Sequence, residues 1–328
     1  MPAWLQSLRT IGLALLATLG TLATAQPAER FPARPITLIV AFAPGTGSDT
    51  VARIVAGAMG TALGQTVVVD NRSGAGGALG TEHGARAAAD GHTLTLATTS
   101  TLLTLPALNP KLRYQPDKDF VPVAGLARTP FVLVTADTAQ APHSLGELKA
   151  RLVGGGGAFG SAGNGTITHL AAEYFLRQAG VQAVHAPYRG SGQALSDVAG
   201  GQLLFACDTV AAALPLIRGG KLRALAVSAP QRLAALPGVP TGTEAGMPAF
   251  ELSAWWGLVA PAGTPPAVVA ALSDAALKAL AAPGVQQQLE ALQLQPLPLD
   301  AAAFSALLRR EAPFWAEFVR RSGIRLEP

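Results

Sequence analysis

Cysteine is almost absent: Cys207 is the only one in 328 residues. A single thiol permits neither an internal disulfide nor a thiolate metal site, and beside Phe205 and Ala206 it reads as a small buried hydrophobe. Charge is also sparse, at 13% of residues, and aromatics make up only 5%. The 24 Lys and Arg never run to five in succession and are not interleaved with aromatics, so nucleic acid is not an expected partner. No Ser sits in a G-x-S-x-G elbow. The five histidines (83, 92, 143, 169, 185) show no H-x-x-x-H spacing, which leaves no zinc set. No carboxylate pair stands out as an acid/base couple, and both the P-loop and the three-glycine dinucleotide fingerprint are missing. These absences predict a protein with no catalytic residues, no metal and no cofactor.

Long hydrophobic runs are missing too, apart from residues 11–22. That stretch is about a dozen residues, too short for a membrane span, which takes about 20. Arg9 precedes it and Ala23-Thr24-Ala25 follows, the pattern of a secretory signal at residues 1–25 cleaved after Ala25. No Cys follows to carry a lipid anchor. Export without disulfides favours a bacterial periplasm. The formal charge of +4 becomes +3 without Arg9, a mild balance compatible with a small acidic ligand.

What is present is an alternation of strands and helices. Strands are expected at residues 36–42, 66–70 and 93–98, with a helix at 49–63 and another ending near 88. This β-α-β-α-β pattern predicts a largely parallel sheet covered by helices. Two strand-like segments surround Thr129-Pro130. A capping box, Ser144 with Glu147, opens a helix to residue 152. A second series follows: strands at 158–161, 182–186, 203–207 and 223–228, and helices at 167–178, 191–199 and 211–218. A strand at 254–260 and helices at 265–281, 284–292 and 301–322 complete the chain. Two α/β series joined by extended segments predict two lobes crossed twice by the chain, with hinge closure on a ligand. The expected boundaries are 26–126 with 249–328 for one lobe and 127–248 for the other.

Two turns repeat one plan, a strand feeding a glycine-rich turn that opens a helix. The first holds Ala43-Pro44-Gly45-Thr46-Gly47-Ser48-Asp49, the second Ser161-Ala162-Gly163-Asn164-Gly165-Thr166. Glycines admit a ligand close to the backbone, and free N–H groups at a helix start attract anions. The plain alternative is a helix start capped by Ser48 or Asp49. Asp49 itself would repel an anion; it either braces the loop or meets a cationic group on the ligand. His169 falls one helical turn into the second helix. Thr99 belongs to a run of four hydroxyls, residues 98–101, at the end of a strand. Asp208 follows an apolar strand, where it either orients the loop or accepts from a protonated or hydroxylated ligand. Of Trp255 and Trp256 one can wall a cleft while the other enters the core, because strand side chains alternate. Strand carboxyl ends are where ligands of open α/β sheets sit.

Several motifs resemble one family throughout the chain beyond residue 30. They include Phe31-Pro32-x-Arg34-Pro35-Ile36, Phe42-x-Pro44-Gly45-x-Gly47-Ser48-Asp49 and Asp70-Asn71-Arg72-x-Gly74-Ala75-Gly76-Gly77. Others are Asp117-x-Asp119-Phe120-x-Pro122-Val123, His185-x-Pro187-Tyr188-Arg189-Gly190, Trp256-Gly257 and Ala260-Pro261-Ala262-Gly263-Thr264-Pro265. The sequence resembles the Bug-type receptors, periplasmic substrate-binding proteins of tripartite tricarboxylate transporters. The resemblance implies an α/β, two-lobed class II periplasmic-binding-protein fold with two chain crossovers and a central ligand cleft. It also implies a monomer that closes on a small organic carboxylate (a di- or tricarboxylate, an aromatic acid or an amino acid) and serves membrane transporter subunits. In that family the two turns grip one carboxylate with the help of waters, which falls here on Phe42 to Asp49 and Ser161 to Thr166. Thr46 stands where the family commonly has Gly, and Ser73 where it has Pro; Thr46 narrows the freedom of the first turn or adds a hydroxyl to it. The rival functions are the same clamp feeding a membrane sensor and, more remotely, an exported hydrolase.

Overall fold

Four apolar residues and Thr37 form strand β1, Ile36–Val40, and all but Thr37 are buried. The structure is a computed structural model that describes residues 31–154, 156–248, 250–322 and 324. The expected signal at residues 1–25 lies outside them. Met1–Ala33 and Arg34–Pro328 are separate units, and the strands and helices of the described residues belong to the second.

After β1 come α1 (Gly47–Leu63), β2 (Val67–Asn71), α2 (Ala78–Ala85) and β3 (Thr93–Thr98). A π-helical turn, Ser100–Thr104, leads into the short helices α3 (Leu105–Leu108) and α4 (Pro116–Asp119). The chain continues through β4 (Phe120–Ala136), α5 (Leu145–Leu152), β5 (Ala158–Ser161), α6 (Ile167–Ala179) and β6 (Val184–Pro187). Next are α7 (Ser191–Ala199), β7 (Phe205–Thr209), α8 (Val210–Arg218) and β8 (Leu222–Val227). The last elements are β9 (Ser253–Pro261), α9 (Pro266–Ala281), α10 (Pro283–Ala291), β10 (Gln295–Pro296) and α11 (Ala301–Ser322). No single helix among the described residues is long and apolar enough to cross a membrane.

The strands follow the order β2-β1-β3-β9-β4-β7-β5-β6, with β8 and β10 also paired to β4. The sheet is mixed where a largely parallel one was expected. β1 is parallel to β2 and β3, and β5 is parallel to β6 and β7. By contrast β9 is antiparallel to β3 and β4, and β4 is antiparallel to β7 and β8. The β-α-β units produce the parallel pairs; the two strands that join the series to each other run against them.

β4 is the second departure. Instead of two segments divided at Thr129-Pro130, one strand of 17 residues runs through both. It keeps β9 as a partner as far as the rung Pro130↔Ser253, then takes β7 and β8 from Phe131 and Val132 onward. Pro130 therefore falls on the rung where partners change, and a missing N–H is tolerated at such an end. Bulges at Pro122/Ala124, Gly125/Ala127 and Leu133/Val134 let so long a strand bend. Register alone moves another expectation: the strand foreseen at 203–207 is Phe205–Thr209, which places Asp208 inside β7.

At the change of partners Ser228 replaces the missing rungs. Its hydroxyl accepts from the Phe131 N–H at 2.7 Å and donates to the Leu252 carbonyl at 2.6 Å. Its own N–H donates to the Phe131 carbonyl at 2.8 Å. Around it the core is continuous: Phe131, Leu133, Phe159, Phe205 and Cys207 share a cluster with Phe250, Trp255 and Phe304. Cys207 is free and buried, as its surroundings in sequence predict, and burial pushes its thiol pKa upward. Replacing Ser228→Ala leaves a buried N–H and a buried carbonyl unpaired, each worth about 1–3 kcal/mol. Urea unfolding should show a loss of about 2–4 kcal/mol; a loss below roughly 0.5 kcal/mol would mean that other partners replace the hydroxyl.

Candidate functional site

The turn ahead of α1 owes its shape to Gly45, whose φ of +79° is open to glycine and costly for other residues. The helix cap is neither Ser48 nor Asp49 but Thr46. Its Oγ1 accepts from the Asp49 N–H at 3.3 Å and donates to the Ala43 carbonyl at 2.9 Å. The residue that departs from the family pattern thus adds a hydroxyl which ties the turn to the helix. Asp49, released from capping, braces the loop. Its carboxylate accepts from the Gly45 N–H at 3.0 Å, the Asn71 amide at 3.0 Å and the Arg53 guanidinium at 3.0 Å. Burial pushes the Asp49 carboxyl pKa up, but these partners outweigh it and hold the carboxyl below its ordinary value.

The head of α6 repeats the device. Thr166 Oγ1 accepts from the His169 N–H at 3.4 Å and donates to the Gly163 carbonyl at 2.8 Å. In both turns a threonine hydroxyl joins the carbonyl three residues back to the N–H three residues on. Below the second turn Ser161 Oγ accepts from the Gly163 N–H at 3.1 Å and meets His185 Nε2 at 2.7 Å. His169 Nδ1 accepts from the Gly165 N–H at 3.2 Å, and its ring stacks on His185 with centroids 3.8 Å apart. Phe159 stacks on His185 in turn, at 4.8 Å. His169 therefore supports the turn from beneath. Burial lowers its pKa to about 3, with the adjacent His185 ring adding to the effect, and burial lowers His185 to about 4.

Hydroxyls after β3 tie the second turn to that segment. Ser100 Oγ accepts from the Ile167 N–H at 2.9 Å, and Thr104 Oγ1 donates to the Gly165 carbonyl at 2.8 Å. Gly76, at φ +65°, completes the approach: a Cβ there would lie 2.6 Å from the Asn164 carbonyl oxygen.

A third helix start converges on the same place. Thr209 caps α8, its Oγ1 accepting from the Ala212 N–H at 3.4 Å. Asp208, just before it, is fully buried. Its Oδ1 accepts from Ser191 Oγ at 2.9 Å and from the Thr209 N–H at 2.7 Å, whereas Oδ2 has no partner among the described residues. Burial pushes this carboxyl up to about 6 against the lowering effect of those hydrogen bonds.

These parts surround a cavity of about 40 Å³. Of the residues singled out from sequence, Phe42, Thr46, Gly47, Ser48, Thr99, Thr166, Asp208 and Trp255 line it. Ala43, Gly45, Asp49, Ser161, Gly163, Asn164, Gly165 and His169 do not. They shape the turns from the side or from below, and Gly163 and Asn164 instead line a neighbouring groove with Gly76 and Tyr188. Thr98, Ser100, Ala162, Ile167, Thr168, Ser191, Thr209, Ala254 and Trp256 also line the cavity. Thr209 and Ser191 had a signal, each being a hydroxyl residue at a helix start.

The tryptophans divide as strand alternation requires, though both reach the cavity wall. Trp255 packs edge-on against Phe304 at 5.3 Å and donates its indole N–H to Glu311 at 2.8 Å. Trp256 Nε1 donates to Ser48 Oγ at 2.9 Å. Having accepted from the indole, Ser48 retains its own proton for a group in the cavity. The Gly47, Ser48 and Thr168 N–H groups have no acceptor among the described residues. Among the described residues no lysine, arginine or histidine lines the cavity, and Asp208 is the one ionisable residue that does. Among the described residues no group of three His, Cys, Asp or Glu side chains is placed to share a metal ion.

The two stacked histidines make stability depend on pH. In the unfolded chain each takes a proton near pH 6.5, whereas the folded rings resist until about 3 and 4. Their contribution is constant above pH 7.5 and falls as pH drops through 6.5, by at most about 1.4 kcal/mol per pH unit for a buried ring. Asp208, raised to about 6, opposes this, because its folded carboxyl protonates first. Two groups against one should give a net loss between pH 6.5 and 4.5, followed by urea unfolding. His169→Gln should flatten that loss; an unchanged slope would remove His169 as a cause.

The fold has known counterparts. The family model described as "Tripartite tricarboxylate transporter family receptor" matches residues 51–324. The protein BugT of Bordetella pertussis (strain Tohama I) is 37% identical over 323 residues, which cover 98% of each chain. The structure of the periplasmic binding protein BugD superposes with a TM-score of 0.87 at 32% identity, over 90% of this chain and 100% of that one. MatC from Rhodopseudomonas palustris, solved with bound malate, has a TM-score of 0.84 at 36% identity, over 88% of this chain and 100% of the other. The α/β fold is that of these periplasmic binding proteins, and the chain belongs to the tripartite tricarboxylate transporter receptor family.

Proposed function

We propose that this protein captures a small organic carboxylate in the periplasm and presents it to the membrane subunits of a tripartite tricarboxylate-type transporter, without catalysing a reaction. The observation that carries this reading is the convergence of three threonine-capped helix starts, at Thr46, Thr166 and Thr209, on a cavity with no basic side chain in its lining. Helix N-termini hold partial positive charge and unpaired N–H groups, which suit a carboxylate without burying a lysine or arginine. The Gly47, Ser48 and Thr168 N–H groups and the Ser48 hydroxyl are the expected donors. MatC, related over nearly its whole length, was solved with malate, itself a small carboxylate.

The signal at residues 1–25, cleaved after Ala25, would deliver the chain to the periplasm. Residues 26–126 with 249–328 would form one lobe and 127–248 the other. Support for the boundary comes from β4, which changes partners at Pro130/Phe131, and from β9, which begins at Ser253. A monomer that closes by bending at these crossings would bring the Thr46 and Thr166 turns onto one ligand carboxylate.

A thermal-shift screen of mono-, di- and tricarboxylates, aromatic acids and amino acids tests the reading. A bound acid at 100 times its dissociation constant stabilises by about 2.7 kcal/mol. Ser48→Ala removes one donor and should weaken the best acid about tenfold, roughly 1.4 kcal/mol, in a protein that still folds. If no acid raises the melting temperature, the carboxylate receptor reading fails.

A further inference from the structure

We propose that Asp208 makes this receptor selective for carboxylic acids that carry a second, hydrogen-bond-donating group, a hydroxyl or an ammonium, placed against Asp208 Oδ2. The inference rests on the carboxylate receptor reading and adds to it the chemistry at the other end of the ligand.

Asp208 is at 0% exposure at the end of β7, and it lines the cavity. Its two oxygens are treated differently. Ser191 Oγ, the Thr209 N–H and, at 3.4 Å, Thr209 Oγ1 all address Oδ1. Oδ2 is buried and has no partner among the described residues. Leaving a buried carboxylate oxygen unpaired is costly, and buried polar atoms are nearly always satisfied. The uncommitted donors of the wall are the Gly47, Ser48 and Thr168 N–H groups and the Ser48 hydroxyl, which suit an acceptor on the ligand. Oδ2 is the counterpart, a buried acceptor without a donor among the described residues.

Such an atom discriminates in both directions. A ligand whose second functional group is an ionised carboxylate meets like charge in a poorly screened cavity. A methylene at that point leaves Oδ2 unpaired. A hydroxyl or ammonium satisfies it with a charge-assisted hydrogen bond, stronger than a neutral one. Sites built around a specific hydrogen bond reject analogues that lack it far better than apolar pockets reject a missing methyl. The ligand class that fits is therefore a hydroxy or amino acid, its carboxylate at the helix starts and its donor on Asp208. The Oδ1 partners are themselves heads of α7 and α8, so the aspartate is held rigidly by Ser191 and Thr209 and cannot turn both oxygens away.

Calorimetric titration of the mature protein at pH 7.5 with matched acids provides the test: propionate, lactate and alanine; succinate, malate and aspartate; benzoate and 4-hydroxybenzoate. Within any set that binds, the donor-bearing acid should bind at least tenfold tighter than its plain counterpart; lactate and malate report a hydroxyl, alanine and aspartate an ammonium. Asp208→Asn keeps a carbonyl for Ser191 and Thr209 but sets an amide N–H₂ where Oδ2 was. In that variant the preference should fall below twofold or reverse. A plain acid that binds as tightly as its donor-bearing partners in every responsive set overturns the proposal, as does an unchanged ratio in folded Asp208→Asn. Should the variant not fold, the wild-type ratios decide alone. Plain acids binding without preference remove only the role of Asp208, whereas no binding by any acid removes the receptor reading and this inference together.

Discussion

A threonine hydroxyl at a helix start has one proton and two lone pairs, and in this protein the placement of those three elements shapes the cavity. Thr46 and Thr166 each give the proton to a carbonyl three residues back and accept an amide three residues ahead. The cap locks the glycine turn onto its helix and leaves the first amides of the helix without intrahelical partners. Because the turns end strands of a common sheet, those amides face one enclosed space. Thr209 adds a third start from β7. The donors of the pocket are backbone amides and a hydroxyl, with no basic side chain among the described residues of its wall, so no buried cation has to be kept charged.

The supporting groups lie outside that wall. Asp49 binds Gly45, Asn71 and Arg53 and so fixes the first turn from the side. His169, His185 and Phe159 form a stack beneath the second. Ser100 and Thr104 tie the second turn to the segment after β3. The cavity is thus pre-organised largely by residues that do not line it, Ser100 being the one that does, which explains how a turn of small flexible residues keeps a defined geometry.

Much of this was legible in the sequence, for reasons that differ by element. The strand–turn–helix units carry periodicity and glycine signals within about 30 residues, and β3, β5, α7 and α11 fall at the expected bounds. β4 was not legible as one strand. Pro130 is a local signal for a break, and only the change of partners, set by β7, β8 and β9 far along the chain, makes a proline tolerable there. The cap on α1 was misplaced for a related reason. Thr46, Ser48 and Asp49 are all good caps, and the choice depends on Asp49 being engaged by Arg53 and Asn71. Helical position suggests the cleft for His169, but its stacking partner, His185, is on strand β6 and leaves no mark in the helix itself. The Trp256–Ser48 contact joins residues that no linear spacing brings together.

The Trp256–Ser48 contact also gives the protein an optical property. Trp4 lies within the expected leader, while Trp255 and Trp315 both direct their indole N–H groups to Glu311 on α11, at 2.8 and 3.4 Å. The Trp256 indole is the one that hydrogen-bonds to a hydroxyl on the cavity wall, and Trp315 is not part of that wall. When Ser48 turns its proton toward a guest, the polarity around the Trp256 indole changes while Trp315 keeps its surroundings. The cavity therefore carries its own chromophore, set against an internal reference in the same chain.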